Sequence, residues 1–247
     1  MKSIRGVVLV ILMALAVGAC FDPPEFPVIP EIEFESIQFK DLPDPNADSL
    51  ILKIAFRDGD GDLGLFADEL GCYEIGGKQV CYNPKFFFVK VSDGTLVTYA
   101  DKRTNPDFAS LPDFVSPYNC INWEVVRDDD NIVTDTLYFE LNPDHYNIFV
   151  DFLVKQNDGT FELFDLQTEI PYPSCGGTYN GRFPVLSRDL SKPTPLEGTI
   201  RYVMQSPAFL LQFSIKTLKL RVRIQDRILN SSNTIETPEF TLQSIKS

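Results

Sequence analysis

Three carboxylates at alternate positions, Asp58, Asp60 and Asp62, sit in the run Phe56-Arg57-Asp58-Gly59-Asp60-Gly61-Asp62-Leu63-Gly64-Leu65. The intervening glycines let the backbone curl, so that the alternate side chains can converge on one point. A convergent set of hard oxygens suits a calcium ion, which takes about six to eight oxygen ligands. Ca2+ is therefore the expected cofactor of this segment, in a structural role that fixes loops. The competing reading is a solvated acidic turn, or one neutralised by Arg57 and Arg227 with no metal.

The spacing resembles the start of an EF-hand loop. Asp58, Asp60 and Asp62 fall at its first three ligand positions, Leu65 at the apolar eighth and Glu69 at the bidentate twelfth. The pattern departs at Leu63, where that loop has glycine, and the residues before it read as a strand instead of a helix. The expectation is a calcium loop hosted by β structure.

The same run resembles an Asp-Gly-Asp-Gly-Asp-Leu-Gly segment that follows an early strand in uncharacterised, immunoglobulin-like lipoproteins of the bacterial outer membrane. Towards the C-terminus, residues 223–233 resemble the closing strand and turn of immunoglobulin-like modules, which often read Asp-x-x-Gly-Asn-x-Ser. Here Asp226 and Asn230 keep their places and Leu229 replaces the glycine. The resemblance implies that 50–56 is the second strand of a sandwich and 218–224 the next to last, both running toward one pole. Asp226 and Asn230 would then stand beside the acidic turn and complete the ligand shell.

The N-terminus carries the second chemical signal. Lys2 and Arg5 precede an apolar run, residues 6–17, too short for the roughly twenty residues that span a bilayer. A basic start, an apolar core and small residues before a cut site make a secretory signal peptide. Val17-Gly18-Ala19-Cys20 resembles a bacterial lipobox, which implies cleavage after residue 19 and diacylglycerol on the Cys20 thiol. Each buried acyl methylene contributes about 0.8 kcal/mol, so two or three chains anchor firmly. Phe21 stands where an inner-membrane retention aspartate would be, and Asp22 and Glu25 resemble the acidic export signal of surface lipoproteins. The expected location is the outer membrane, lipid-anchored and surface-exposed. Four prolines in 21–30 make a semi-rigid stalk of roughly 30 Å.

Cleavage would leave 20 basic against 35 acidic side chains, a formal charge of −15. Such a surface repels nucleic acid and favours cations. Besides Cys20, the cysteines are Cys72, Cys81, Cys120 and Cys175. An even set in an exported chain points to two disulfides with three pairings open. Cys72–Cys81 and Cys120–Cys175 are favoured, because the first flanks a short glycine-containing loop. Zinc is not expected, since C-x-x-C is absent and His145 is the single histidine.

No G-x-S-x-G, H-E-x-x-H, phosphate loop or dinucleotide fingerprint occurs. His145 reads as a surface or packing residue. Trp123 reads as core in preference to an exposed sugar platform. Glu31, Glu33 and Glu35 alternate on a solvated strand face.

The elements that must position these residues read as β throughout. Strands are expected at 32–39 with a slip near Ser36, 50–56, 86–91 as a central strand, 96–99, 123–126, 133–141, 148–154, 160–166, 199–204, 218–224 and 235–242. Residues 104–118 and 172–195 read as loop. The fold class is all-β, an immunoglobulin-like antiparallel β-sandwich over 32–247, either one unit or two packed units dividing near 143. The leading functional expectation is a non-enzymatic surface lipoprotein in adhesion or assembly, with an unknown protein or glycan partner. The alternatives are a glycan-binding accessory of an outer-membrane uptake system and a carboxylate-based hydrolase.

Overall fold

The computed structural model describes residues 24–43, 46–114, 122–166 and 178–247. Cys20, Cys120 and Cys175 lie outside them, and with them the lipidation site and the second disulfide. Among the described residues no helix is long and apolar enough to cross a membrane.

Strands β1 (Glu31–Lys40) and β2 (Asp48–Asp58) open the sandwich as an antiparallel pair. Their register shifts between Phe34 and Ser36, where the alternation of the sequence slips. On β2, Leu50, Leu52, Ile54 and Phe56 alternate into the core while Arg57 is exposed. Glu31, Glu33 and Glu35 are exposed as expected.

The chain then leaves the sandwich. A hairpin of β3 (Cys72–Ile75) and β4 (Lys78–Cys81) is closed by a Cys72–Cys81 disulfide between directly paired residues. Next come β5 (Lys85–Phe87), α1 (Tyr99–Thr104), β6 (Trp123–Arg127) and β7 (Val133–Leu141), whose strands form a small sheet in the order β5-β7-β6.

Two expectations are corrected here. The strand expected at 86–91 is a three-residue edge strand, not a central one. Its apolar neighbour Phe88 instead packs on the separate core of Val97, Trp123 and Tyr138. The strand expected at 96–99 is reduced to isolated bridges at Leu96 and Thr98, and Tyr99 opens a capped helix, with Thr98 and Asp101 forming a reciprocal capping box. Trp123 is 1% exposed and its indole N–H donates to the Pro112 carbonyl, so it is core.

The chain returns through β8 (Ile148–Lys155), β9 (Phe161–Leu163), β10 (Leu196–Ser206), α2 (Phe209–Phe213), β11 (Leu218–Ile224) and β12 (Ile235–Glu236). One sheet has the order β1-β2-β10 and the facing sheet β12-β11-β8-β9, all antiparallel. This is a β-sandwich of immunoglobulin-like strand order. The expected last strand is shorter: after Glu236 and Pro238 only a Leu218–Phe240 bridge continues it.

Among the described residues the two facing sheets form one sandwich. Its strand partners come from both ends of the chain, β2 pairing with β10, while the small sheet is an excursion between β2 and β8.

Candidate metal centre

Strand β2 ends at Asp58, which pairs with Leu196 of β10 and is fully buried. The chain then turns through Gly61 and Gly64, at φ 72° and 99°, in the left-handed region glycine tolerates. Both also sit against backbone: a Cβ would collide with the Thr194 carbonyl at Gly61 and with the Pro184 carbonyl at Gly64. Leu63 drops into the sandwich core at 0% exposure, and this is why it stands where an EF-hand loop has glycine. Three backbone bonds fix the turn: Thr194 N–H to the Asp60 carbonyl (3.1 Å), Leu186 N–H to the Leu63 carbonyl (3.0 Å), and Leu65 N–H to the Phe183 carbonyl (3.1 Å).

This backbone brings the carboxylates of Asp58, Asp60 and Asp62 together, with one oxygen of each inside 4.8 Å of the others. Four of their buried oxygens lack a hydrogen-bond partner of normal geometry: both of Asp58, Oδ1 of Asp60 and Oδ1 of Asp62. Buried polar atoms are normally satisfied, because an orphaned one costs about 1–3 kcal/mol, more when charged.

The titration of the group reflects this. Burial, then the charges of Asp60 and Asp226, push Asp58 from 3.8 up to about 7, with the nearby amides of Gly61 and Asp62 pulling the other way. Burial, then Asp226, Asp60 and Asp58, push Asp62 up to about 8, moderated by Arg227.

Asp226 arrives from the β11–β12 turn, as the strand directions require. It is 2% exposed and raised by burial and by Asp60. Its Oδ1 accepts from the Ile228 and Asn230 amides (3.0 and 2.7 Å) and its Oδ2 from the Asn230 side-chain amide (2.7 Å). Asn230 is thus the clamp that orients Asp226. Leu229 takes the glycine's own conformation, at φ 70°. It packs on Leu65, Val80 and Tyr82 beneath the disulfide hairpin.

Glu69 is placed elsewhere. Both its oxygens bind Arg227, Nη1 donating at 2.8 Å and Nη2 to the other oxygen, and Oε2 also accepts from the Phe66 amide. Burial would raise Glu69, but these bonds and the charges of Arg227 and Arg182 hold it low. The EF-hand order therefore does not extend to the twelfth position, since the chain after Glu69 runs into the β3–β4 hairpin and not into a helix. Arg227 is near enough to act on Asp62, as the competing reading required, but its guanidinium is committed to Glu69. Arg57 faces away, exposed on β2.

Two contributors had no signal in the sequence. Arg182 ties the loop by donating to the Phe66, Glu69 and His145 carbonyls. Tyr82 donates to the Arg227 carbonyl and so fixes the second turn.

The donor set fits a hard divalent cation: oxygen only, several negative charges, no sulfur or imidazole. Asp58, Asp60 and Asp62 would hold it, with Asp226 beside them, and the ion would supply charge neutralisation and cross-linking of two turns. No protein-family model, curated protein or solved structure matches the chain. The functional reading accordingly rests on the chemistry of the site and of the N-terminus.

Proposed function

We propose that this chain is a non-enzymatic, lipid-anchored β-sandwich lipoprotein of the bacterial outer membrane, displayed at the surface, stabilised by calcium and serving adhesion or assembly. The observation that carries the calcium reading is Asp58: fully buried, with neither carboxylate oxygen in a hydrogen bond of normal geometry, facing two further orphaned carboxylate oxygens. A cation is the partner such a group lacks. The basic start, the apolar run and Val17-Gly18-Ala19-Cys20 support the anchor. Strand pairing supports the orientation, because Glu31 is opposite Arg57 and the chain therefore enters at the pole of the acidic turn.

The hydrolase reading is weaker on geometry. Its raised carboxylates are buried, and two open grooves of about 590 and 540 Å³ carry other carboxylates, Asp151 and Asp165 in one and Glu31, Glu33, Glu35 and Glu197 in the other, but not the raised ones. The uptake-accessory reading loses its Trp123 platform to the core.

Calcium titrated into chelator-treated protein should raise the melting temperature. No shift at millimolar calcium, or an equal shift in Asp60→Ala, would sink the site. Mass analysis of the native mature N-terminus should show acylated Cys20, and an unmodified N-terminus removes the anchor.

A further inference from the structure

The acidic turn also receives the chain that arrives from the anchor. The Gly59 amide, between Asp58 and Asp60, donates to the Pro27 carbonyl at 2.8 Å. The approach is so close that a Cβ on Gly59 would collide with the carbonyl oxygens of Phe26 and Pro27. Around this contact Phe26 is half-buried and Pro30 buried, whereas Val28 and Ile29 are 53% and 55% exposed. The tether is thus held mainly by backbone contact with the turn.

The turn is not equally fixed along its length. Asp58 belongs to the β2–β10 ladder and Leu63 is sunk in the core. Between those two points the Asp60 carbonyl accepts from the Thr194 amide and Gly61 is wedged against the Thr194 carbonyl, whereas the Gly59 amide, flanked by Asp58 and Asp60, is bonded to the tether. Carboxylates gathered without a counter-ion repel, and the peptide at Gly59, between two of them, is where a small adjustment can relieve that repulsion. A small displacement there breaks the Gly59–Pro27 bond, whose geometry tolerates little stretch.

We infer that cation occupancy of the Asp58–Asp60–Asp62 site controls the docking of residues 24–30 onto the sandwich. This rests on the cation reading above. With the ion bound, the turn is closed and the tether forms a fixed joint at the anchor-side pole. With the ion removed, the Gly59 peptide shifts and the seven residues are released from the sandwich, adding roughly 20 Å of reach at about 3.1 Å per residue. The site would therefore set how far, and in what orientation, the body stands from its membrane.

The test is amide hydrogen exchange on the full chain in detergent, in millimolar calcium and in chelator, with melting followed in parallel. Exchange at Gly59, Val28 and Ile29 should slow about tenfold in calcium, with no change in the Asn157–Gly159 hairpin. A calcium-dependent rise in melting with unchanged exchange at 24–31 overturns the joint and leaves the cation site standing. Equal slowing everywhere also overturns it, as global stabilisation alone. No rise in melting removes the cation site and the joint with it. Gly59→Ala should exchange fast at 24–31 in calcium while residues 51–56 stay protected; slow exchange there refutes the inference.

Discussion

Asp58→Asn is expected to stabilise the cation-free chain and to forfeit the stabilisation by calcium, so that the order of stabilities inverts with the ion. The magnitude follows from the raised carboxyl. Asp58 titrates near 7 folded against 3.8 as an ordinary aspartate. The folded state therefore binds its proton more tightly than the unfolded chain. Stability of the cation-free protein must fall as pH rises from about 4 to about 7, and then level off. The shift corresponds to about 4 kcal/mol at full ionisation. Asparagine removes that cost but brings a buried amide needing partners, worth about 1–2 kcal/mol. The net gain is about 2–3 kcal/mol near pH 8 and close to zero near pH 5.

Calcium reverses the comparison. An ion at about a thousand times its dissociation constant stabilises the native state by about 4 kcal/mol. The variant lacks the buried ligand and loses most of this, so the wild type becomes the more stable form by about 1–2 kcal/mol. The assay is urea unfolding of both proteins near pH 5 and pH 8, in chelator and in calcium. Because Asp58, Asp62 and Asp226 are all raised and act on one another, the pH curve reports the group and not one residue. A variant less stable than wild type in chelator near pH 8, or a difference constant between the two pH values, would refute the reasoning.

Other outcomes follow from the same framework. Glu69→Gln strands the buried Arg227 and should cost about 3–5 kcal/mol, read by urea unfolding; Glu236→Gln, which removes the exposed partner of Lys219 and Arg221, should cost under about 1 kcal/mol in the same assay. Leu229→Gly should be near neutral by melting temperature, since relief of the left-handed backbone, about 1–2 kcal/mol, offsets the lost packing on Leu65, Val80 and Tyr82. Replacing Cys72 and Cys81 together by serine should lower stability by about 2.5–3 kcal/mol, and non-reduced digests of the wild type should recover the 72–81 peptide pair.

Which features were legible depends on the range of the forces that fix them. The alternation of Leu50, Leu52, Ile54 and Phe56, and of Leu218, Leu220 and Val222, is a local consequence of a buried sheet face, and both strands lie where that pattern puts them. From two such strands in one sandwich the meeting of the Asp58 and Asp226 turns follows, because strand direction decides which loops share a pole. Glu69 was misread because EF-hand spacing assumes a helix leading out of the loop, and here the chain runs into a hairpin. The helices at Tyr99–Thr104 and Phe209–Phe213 are too short for periodicity to register, although Thr98 and Asp101 already spelled a capping box. Arg182 was beyond reach, since its acceptors Phe66 and Glu69 lie more than 110 residues away and no local pattern encodes the contact.

The energetic position of the acidic turn bears on why such a turn is kept. Its backbone is over-determined: Leu63 is buried, Gly61 and Gly64 are pressed against carbonyls, and three ladder-like bonds tie it to 183–186 and 194. The Asp58 carboxylate, at 0% exposure, cannot swing into water without pulling apart the end of β2. A metal-free fold thus bears the desolvation of Asp58 and Asp62 with little compensation, the Gly61 and Asp62 amides offsetting only part of it at Asp58, and Asn or Ser at these positions would relieve it. Rigidity that is a liability without a ligand is an advantage with one, because the carboxylates are already assembled and binding costs little ordering of the ligand set itself. The same feature explains the selectivity expected of the site. A fixed cage of several carboxylates suits an ion that sheds its water readily and accepts irregular oxygen geometry, which favours calcium over the more tightly hydrated magnesium.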